Sequence, residues 1–180
     1  FSVGIVSKKK ILNKTNVKKD NIILGIPSNG IHSNGYSLVR SILNKNKITK
    51  KFKKELLRPT KIYTEEVLKL VNKNLINAAA HITGGGLIEN LTRSIPKNLS
   101  VNIDLGKIKP QKIFSWLKSA NISDEEMLKT FNCGIGFCII IDKKNIDKVK
   151  KYFSKSFMPY EIGFISKKRK RINLKNSFKW

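Results

Sequence analysis

Apolar residues along this chain fall into two alternating patterns: short continuous runs, and stripes spaced three to four residues apart. The first pattern marks strands and the second marks helices. Residues 2–6 form a short β-rich run, and residues 21–26 form a continuous apolar one that ends at the turn residues 27–30. A helix is predicted next, with Leu38, Val39, Ile42 and Leu43 on one face. Polar residues 44–54 read as a loop with some helical character. Tyr63, Val67, Leu70 and Val71 then stripe a second helix whose Glu65, Glu66 and Lys69 face water. An apolar run over 76–80 leads into three glycines, and 89–94 should be helical up to Pro96. Val101, Ile103 and Leu105 alternate as in a half-buried strand. Pro110 opens a helix carrying Ile113, Phe114 and Leu117, and Ser123 to Glu126 form a capping box for a short helix ending near Thr130. The strongest strand is 133–141. A helix bearing Ile146, Val149 and Phe153 follows, then a strand over 160–165 and a second terminal strand beyond a charged turn.

Strands and helices alternate with short connections and without an internal repeat. The fold class predicted is α+β, an α/β layered single domain over residues 1–180. Its sheet should be mixed and partly antiparallel, with helices packed on it. A chain of 180 residues with 40% hydrophobic content can build one such core. No apolar run approaches the ~20 residues that span a bilayer, so no membrane partner is expected. Cys133 and Cys138 lie in one apolar run, which predicts buried free thiols and a reducing, cytoplasmic setting. Their spacing is not that of a zinc or redox pair and only two histidines are present, so no metal site is predicted in this chain.

The net charge of +25 is the usual footprint of a nucleic-acid binder. Yet Arg, which forks best onto phosphates, supplies only five of the 37 basic residues, and the lysines are scattered among Asn and Ile. That distribution reads as solvated faces, and no nucleic-acid partner is expected. The densest cluster, residues 167–171, reads as a charged turn between the terminal strands. A basic RNA-binding module is the alternative from a different functional class.

Three stretches carry candidate chemistry. In the first, residues 28–37 (SNGIHSNGYS), small polar groups crowd a strand-to-helix turn and offer a potential anion or ribose site. His32 there is either an acid/base group or a turn residue bonded to backbone. The second, residues 81–90 (HITGGGLIEN), places three glycines before a helix. Such a loop lets backbone N–H groups approach an anion at the positive end of the helix dipole, although packing would also account for glycines. It matches neither the P-loop nor the dinucleotide fingerprint. The third, residues 130–136 (TFNCGIG), enters the strongest strand.

Residues 28–40 (SNGIHSNGYSLVR), 56–63 (LLRPTKIY), 80–90 (AHITGGGLIEN) and 127–136 (MLKTFNCGIG) together resemble the aminoimidazole ribonucleotide synthetases, also called phosphoribosylformylglycinamidine cyclo-ligases. The order and spacing of the motifs are those of that family, and the likeness runs to residues 159–163 (PYEIG). Formylglycinamidine synthetase, selenophosphate synthetase, thiamine-phosphate kinase and a hydrogenase maturation protein share the architecture, and another member of that group is the alternative within the same fold.

The resemblance implies a C-terminal domain forming one wall of an inter-domain cleft. A preceding N-terminal domain, absent from this chain, would carry the Mg2+ ligands, much of the ATP site and most of a homodimer interface. The implied reaction is ATP-dependent closure of formylglycinamidine ribonucleotide to aminoimidazole ribonucleotide, with this fragment inactive alone. The implied site residues are His32 and His81 as catalytic candidates. Ser28, Asn29, Gly30, Ser33, Asn34, Gly35, Thr83, Gly84, Gly85, Gly86 and Asn132 would contact substrate or nucleotide.

Overall fold

In the computed structural model, residues 3–44, 48–167 and 170–180 are described. Among them six strands form one sheet: β1 (Ile22–Pro27), β2 (Ala78–His81), β3 (Leu99–Asp104), β4 (Ile135–Ile141), β5 (Tyr160–Lys167) and β6 (Ile172–Lys175). Their order is β2-β4-β1-β5-β3-β6. Every neighbouring pair is antiparallel except β3–β6, which is parallel. The sheet is therefore mixed and mostly antiparallel, as the sequence predicts.

Seven α-helices among the described residues accompany it: α1 (Tyr36–Leu43), α2 (Lys50–Leu56), α3 (Thr64–Asn72), α4 (Gly86–Arg93), α5 (Lys112–Lys118), α6 (Asp124–Thr130) and α7 (Ile146–Lys150). Ile23, Ala78, Ala80, Cys138 and Ile140 point from the sheet into a core shared with α1, α2, α4, α5 and α6. Ile22, Leu24, Ile26, Ile139 and Ile141 point the other way, against Leu70 of α3, Val149 of α7 and Phe153. Covered on both faces, β1 and β4 read as continuous apolar runs because alternate positions both find apolar partners.

Several local expectations change. Residues 3–6 form no strand, and Val3, Ile5 and Val6 are exposed; β-rich composition without a neighbouring strand supplies no ladder. The first position of that expected strand, Ser2, lies outside the described residues, as do Lys168 and Arg169 of the charged turn. The polar stretch 44–54 contains α2, started by Thr49, whose hydroxyl accepts from the Phe52 N–H at 3.3 Å. The strongest strand begins at Ile135 rather than Cys133, because Cys133 takes a left-handed φ of 48°. In β3 the alternate positions Ser100 and Asn102 are buried as well. Asn102 donates to the Ser166 hydroxyl at 2.9 Å and Ser100 donates to the Lys170 carbonyl, so both polar groups are satisfied inside.

The two ends of the central strands differ in character. At one end Asn77 Nδ2 donates to both Asn21 Oδ1 (3.0 Å) and Asp142 Oδ1 (3.1 Å), and Asn21 Nδ2 donates to Asp142 at 2.8 Å, tying β1, β2 and β4 together. At the other end Pro27 pairs with Ile135 and His81 with Phe137. Since β4 lies between β1 and β2, this second end gathers the turn after β1, the loop after β2 and the entry to β4.

Candidate functional site

Backbone and side-chain hydrogen bonds bind the three segments into one structure. Ser28 N–H donates to the Gly134 carbonyl at 2.9 Å and Ile82 N–H to Gly136 at 3.0 Å. Asn132, only 1% exposed, gives Nδ2–H to the Gly30 carbonyl at 2.8 Å and accepts from Gly134 N–H at 2.9 Å. Its amide is committed to backbone, so Asn132 holds the first turn against the entry to β4. Ser28 is also buried, locked by Gln111 Nε2, which donates to its carbonyl at 2.8 Å. Ser33 is exposed, Asn34 half-buried, and Gly35 lies against the Phe131 ring where a Cβ would sit 2.4 Å from Cε1.

His32 and Ser33 both adopt left-handed backbone, φ 55° and 58°. Two consecutive non-glycine residues there cost energy, and such strain gathers where surrounding structure enforces it. The enforcing contacts are visible around Asn29. Its Nδ2 donates to the Pro59 carbonyl at 3.1 Å, and the Arg58 guanidinium donates to the Asn29 carbonyl at 3.0 Å. The amide orientation fixed by Pro59 turns Asn29 Oδ1 toward His32 Nε2 at 2.7 Å. Toward that oxygen, which only accepts, Nε2 would have to donate. The Asn29 N–H donates to the same nitrogen at 3.2 Å, a contact in which Nε2 accepts, so Asn29 grips the ring through Nε2 in either tautomer. His32 Nδ1 is buried and without a hydrogen-bond partner among the described residues. Burial, helped by the nearby His81 imidazole, pulls the His32 pKa down to about 4. Burial lowers the His81 pKa too, so both rings favour the neutral form.

The two histidines are linked by Tyr63, whose ring centroid lies 6.1 Å from each. Tyr63 is buried and donates its hydroxyl to the Pro27 carbonyl at 2.9 Å. Gly136 makes this possible: a Cβ there would stand 2.0 Å from the Tyr63 oxygen and 2.5 Å from His32 Cε1. Phe137 completes the group, 5.2 Å from Tyr63 and 5.7 Å from His81, nearly stacked on the latter at 28°. A pocket of about 460 Å3 opens here, bounded by Tyr63, His81 and Phe137 and by Thr60, Ile62, Thr64, Val67 and Leu68. Lys61, also on its wall, is engaged with Glu66 at 3.1 Å.

The three glycines have three different roles. Gly84 faces open space, with nothing within 4 Å of the point a Cβ would occupy. Gly85 caps α4 in left-handed backbone, φ 86°. Gly86, φ 59°, packs so tightly on α6 that a Cβ would fall 1.8 Å from the Leu128 carbonyl oxygen. Packing thus explains the third glycine, while the first leaves room for a ligand. Asn90 Nδ2 donates to the carbonyls of Gly86 (2.7 Å), Gly84 (3.2 Å) and Thr83 (3.5 Å). In trans peptides the N–H opposes the C=O, so the N–H groups of Gly84, Gly85 and Leu87 turn away from Asn90.

Asn90, Tyr63, Phe137 and Gln111 are not among the candidates read from sequence. Asn90 sits inside a motif that draws attention to its glycines, and its spacing after them is the signal that could have revealed it. Tyr63 closes the stretch 56–63 but reads as a helix-stripe position, and Phe137 lies inside the apolar run 133–141, so neither stands out as a site residue. Both cysteines are buried free thiols, and burial pushes each well above the ordinary thiol range. Among the described residues no group of three or more His, Cys, Asp or Glu is placed to hold a metal ion.

Residues 18–175 match the family described as AIR synthase related protein, C-terminal domain. This chain belongs to that family. The phosphoribosylformylglycinamidine cyclo-ligase of Ligilactobacillus salivarius is 43% identical over 182 residues, covering 94% of this chain and 53% of the relative. That of Lactobacillus helveticus is 40% identical over 195 residues, covering 99% and 56%. The chain therefore spans about half the length of the curated relatives it matches. Among solved structures, thiamine-monophosphate kinase from Stenotrophomonas maltophilia superposes with a TM-score of 0.66 over 96% of this chain and 55% of that one, at 15% identity. Thermotoga maritima PurL complexed with FGAR gives 0.56 over 89% and 26%, at 14% identity. These two likenesses share the fold.

Proposed function

We propose that this chain supplies one half of an ATP-dependent cyclo-ligase of purine biosynthesis, closing formylglycinamidine ribonucleotide to aminoimidazole ribonucleotide. The observation carrying this reading is the convergence of residues 28–35, 82–86 and 131–136 at one end of the sheet, in a chain whose curated relatives bear the cyclo-ligase name. ATP would phosphorylate the formyl amide oxygen, a substrate nitrogen would attack that carbon, and phosphate would leave with ADP formed. Catalysis of this kind rests on positioning and charge stabilisation.

In this reading the outward N–H groups of the glycine loop meet anionic oxygen. His81, exposed at the end of β2, exchanges hydrogen bonds with the reacting amide as a neutral ring. His32 acts behind it, its Nε2 gripped by Asn29 and its Nδ1 buried within the turn. Ser28, Asn29, Gly30, Ser33, Asn34, Gly35 and Asn132 shape the turn that carries it. Magnesium, when bound, would neutralise the nucleotide phosphates; its ligands belong to the preceding domain implied by the family, as do most contacts of a homodimer. A cytoplasmic setting accompanies this metabolic role.

The test is turnover of formylglycinamidine ribonucleotide with ATP, followed by chromatography of the aminoimidazole product. The full-length enzyme should turn over and the 180-residue chain alone should not. In the full-length enzyme His81→Ala should lower kcat at least tenfold, the lower range for loss of a positioned proton-transfer group being about 100-fold. Turnover by the isolated chain, or unchanged kcat and KM in both His32→Ala and His81→Ala, would refute the assignment.

A further inference from the structure

The aromatic pocket beside the glycine loop is unused by the reading above, apart from His81 on its rim. Three rings from three different elements meet there: Tyr63 before α3, His81 at the end of β2, and Phe137 in β4. Val67 and Leu68 of α3 supply aliphatic lining. A volume of about 460 Å3 lies within the range of small-molecule sites, roughly 300–1,000 Å3. Its polar groups are few and mostly uncharged. Thr60, Thr64 and His81 lie on its wall, and the imidazole makes no hydrogen bond among the described residues. Its one cation among the described residues, Lys61, is already neutralised by Glu66 and stands 5.0 Å from the Tyr63 ring centroid.

This lining discriminates between parts of a nucleotide. A phosphate group would find no unpaired cation among the described residues of the wall and would lose hydration against apolar surfaces. A flat heterocycle would gain stacking on rings that already lie at 5–6 Å spacings, and the lining threonines and the imidazole of His81 are the polar side chains its edge nitrogens would meet. We infer that the pocket formed by Tyr63, His81, Phe137, Val67, Leu68 and Thr64 binds the planar nitrogen heterocycle of a ribonucleoside, leaving phosphate to the adjoining glycine loop. Two sources have this chemistry: the adenine of the nucleotide and the imidazole of the cyclised product. The inference takes from the cyclisation reading only the class of molecule nearby, and its test needs no turnover.

The experiment titrates the 180-residue chain with adenosine and, separately, with aminoimidazole riboside, using saturation-transfer NMR and calorimetry; neither probe carries phosphate. At least one should bind saturably. Phe137→Leu should weaken that binding about tenfold, in keeping with the worth of a base–aromatic stack, and Phe137→Tyr should restore it. Phe164→Leu, a change at an exposed ring on β5, serves as control and should leave binding unchanged. Tighter adenosine binding assigns the pocket to the nucleotide base, and tighter riboside binding assigns it to the product ring. The inference is overturned if neither binds, if Phe137→Leu has no more effect than Phe164→Leu while both remain folded by circular dichroism, or if ribose 5-phosphate displaces the probe as well as its own unlabelled form. Binding with no turnover in the full-length enzyme would refute the cyclisation reading and leave this one standing.

Discussion

Replacing Gly86 by alanine should destabilise the domain far more than the same change two residues earlier. At Gly86 the new methyl would fall 1.8 Å from the Leu128 carbonyl oxygen and 2.8 Å from its carbon, both backbone atoms that no rotamer change can move. The residue also sits at φ 59°, where an L side chain costs about 1–2 kcal/mol. Relieving the overlap requires α4 and α6 to part, loosening the buried Leu87, Leu91 and Leu128, and overpacking of this kind costs about 1–3 kcal/mol more. The sum is about 2–5 kcal/mol. With a urea slope of about 2 kcal/mol/M the midpoint should fall by about 1–2.5 M. Gly84→Ala meets open space at an ordinary φ, so its midpoint should hold or rise by the equivalent of about 0.4–1 kcal/mol. Urea titration followed by circular dichroism reads both. Equal midpoints for the two variants would refute the division of the loop into a packing glycine and a ligand-facing one. In the full-length enzyme Gly84→Ala should raise KM, since its methyl occupies the space left for the ligand.

Acid should destabilise the fold through His32. The unfolded chain takes up this proton near pH 6.5 and the folded chain only near pH 4, so the contribution is fully present above about 6.5 and is lost as pH falls through that window. The full effect is about 3 kcal/mol. His32→Asn, which tolerates the left-handed backbone, should flatten the urea midpoint between pH 7 and 4.5; an unchanged pH slope would show that another group is responsible. Arg171 donates to the carbonyls of Leu99 (3.1 Å) and Ile95 (2.9 Å) and also to those of Thr92 and Pro96, closing the end of α4. Arg171→Ala should cost about 2–4 kcal/mol and Arg171→Lys should recover less than half of it, because one ammonium cannot span the planar fork; full recovery by lysine in thermal melts would count against that geometry. Tyr63→Phe should lose about 1 kcal/mol with the bond to Pro27, and a neutral result in denaturant titration would show that bond to be dispensable.

Much of this molecule is legible in one dimension. The apolar runs of β1 and β4, the stripe of α3 and the Ser123 cap of α6, whose hydroxyl accepts from Glu126 N–H at 3.1 Å, are local matters of period and capping. So are the three polar and glycine-rich stretches, whose composition departs from what packing alone selects. The failures share one cause. A β-rich run at 3–6 finds no strand beside it, and α2, which starts on the local Thr49 cap, is also held from outside by Trp116 against Phe52 and by the Tyr36 hydroxyl on the Leu56 carbonyl. Ser100 and Asn102 look solvent-facing until β5 and the chain near Lys170 supply their partners.

The sequence by itself determined most of the elements, which stretches are too unusual to be filler, and through them the family. Only the tertiary structure decided what each unusual residue does. Strand order β2-β4-β1 brings segments about 50 and 100 residues apart to one end of the sheet, and pairing His81 with Phe137 places the last residue of β2 and a half-buried ring of β4 around one pocket. The same packing separates three identical glycines into one that opens to solvent, one that turns the chain, and one pressed against the Leu128 carbonyl. Adjacent positions of the same residue type are indistinguishable by local propensity, so only the neighbours brought from elsewhere in the chain can tell them apart.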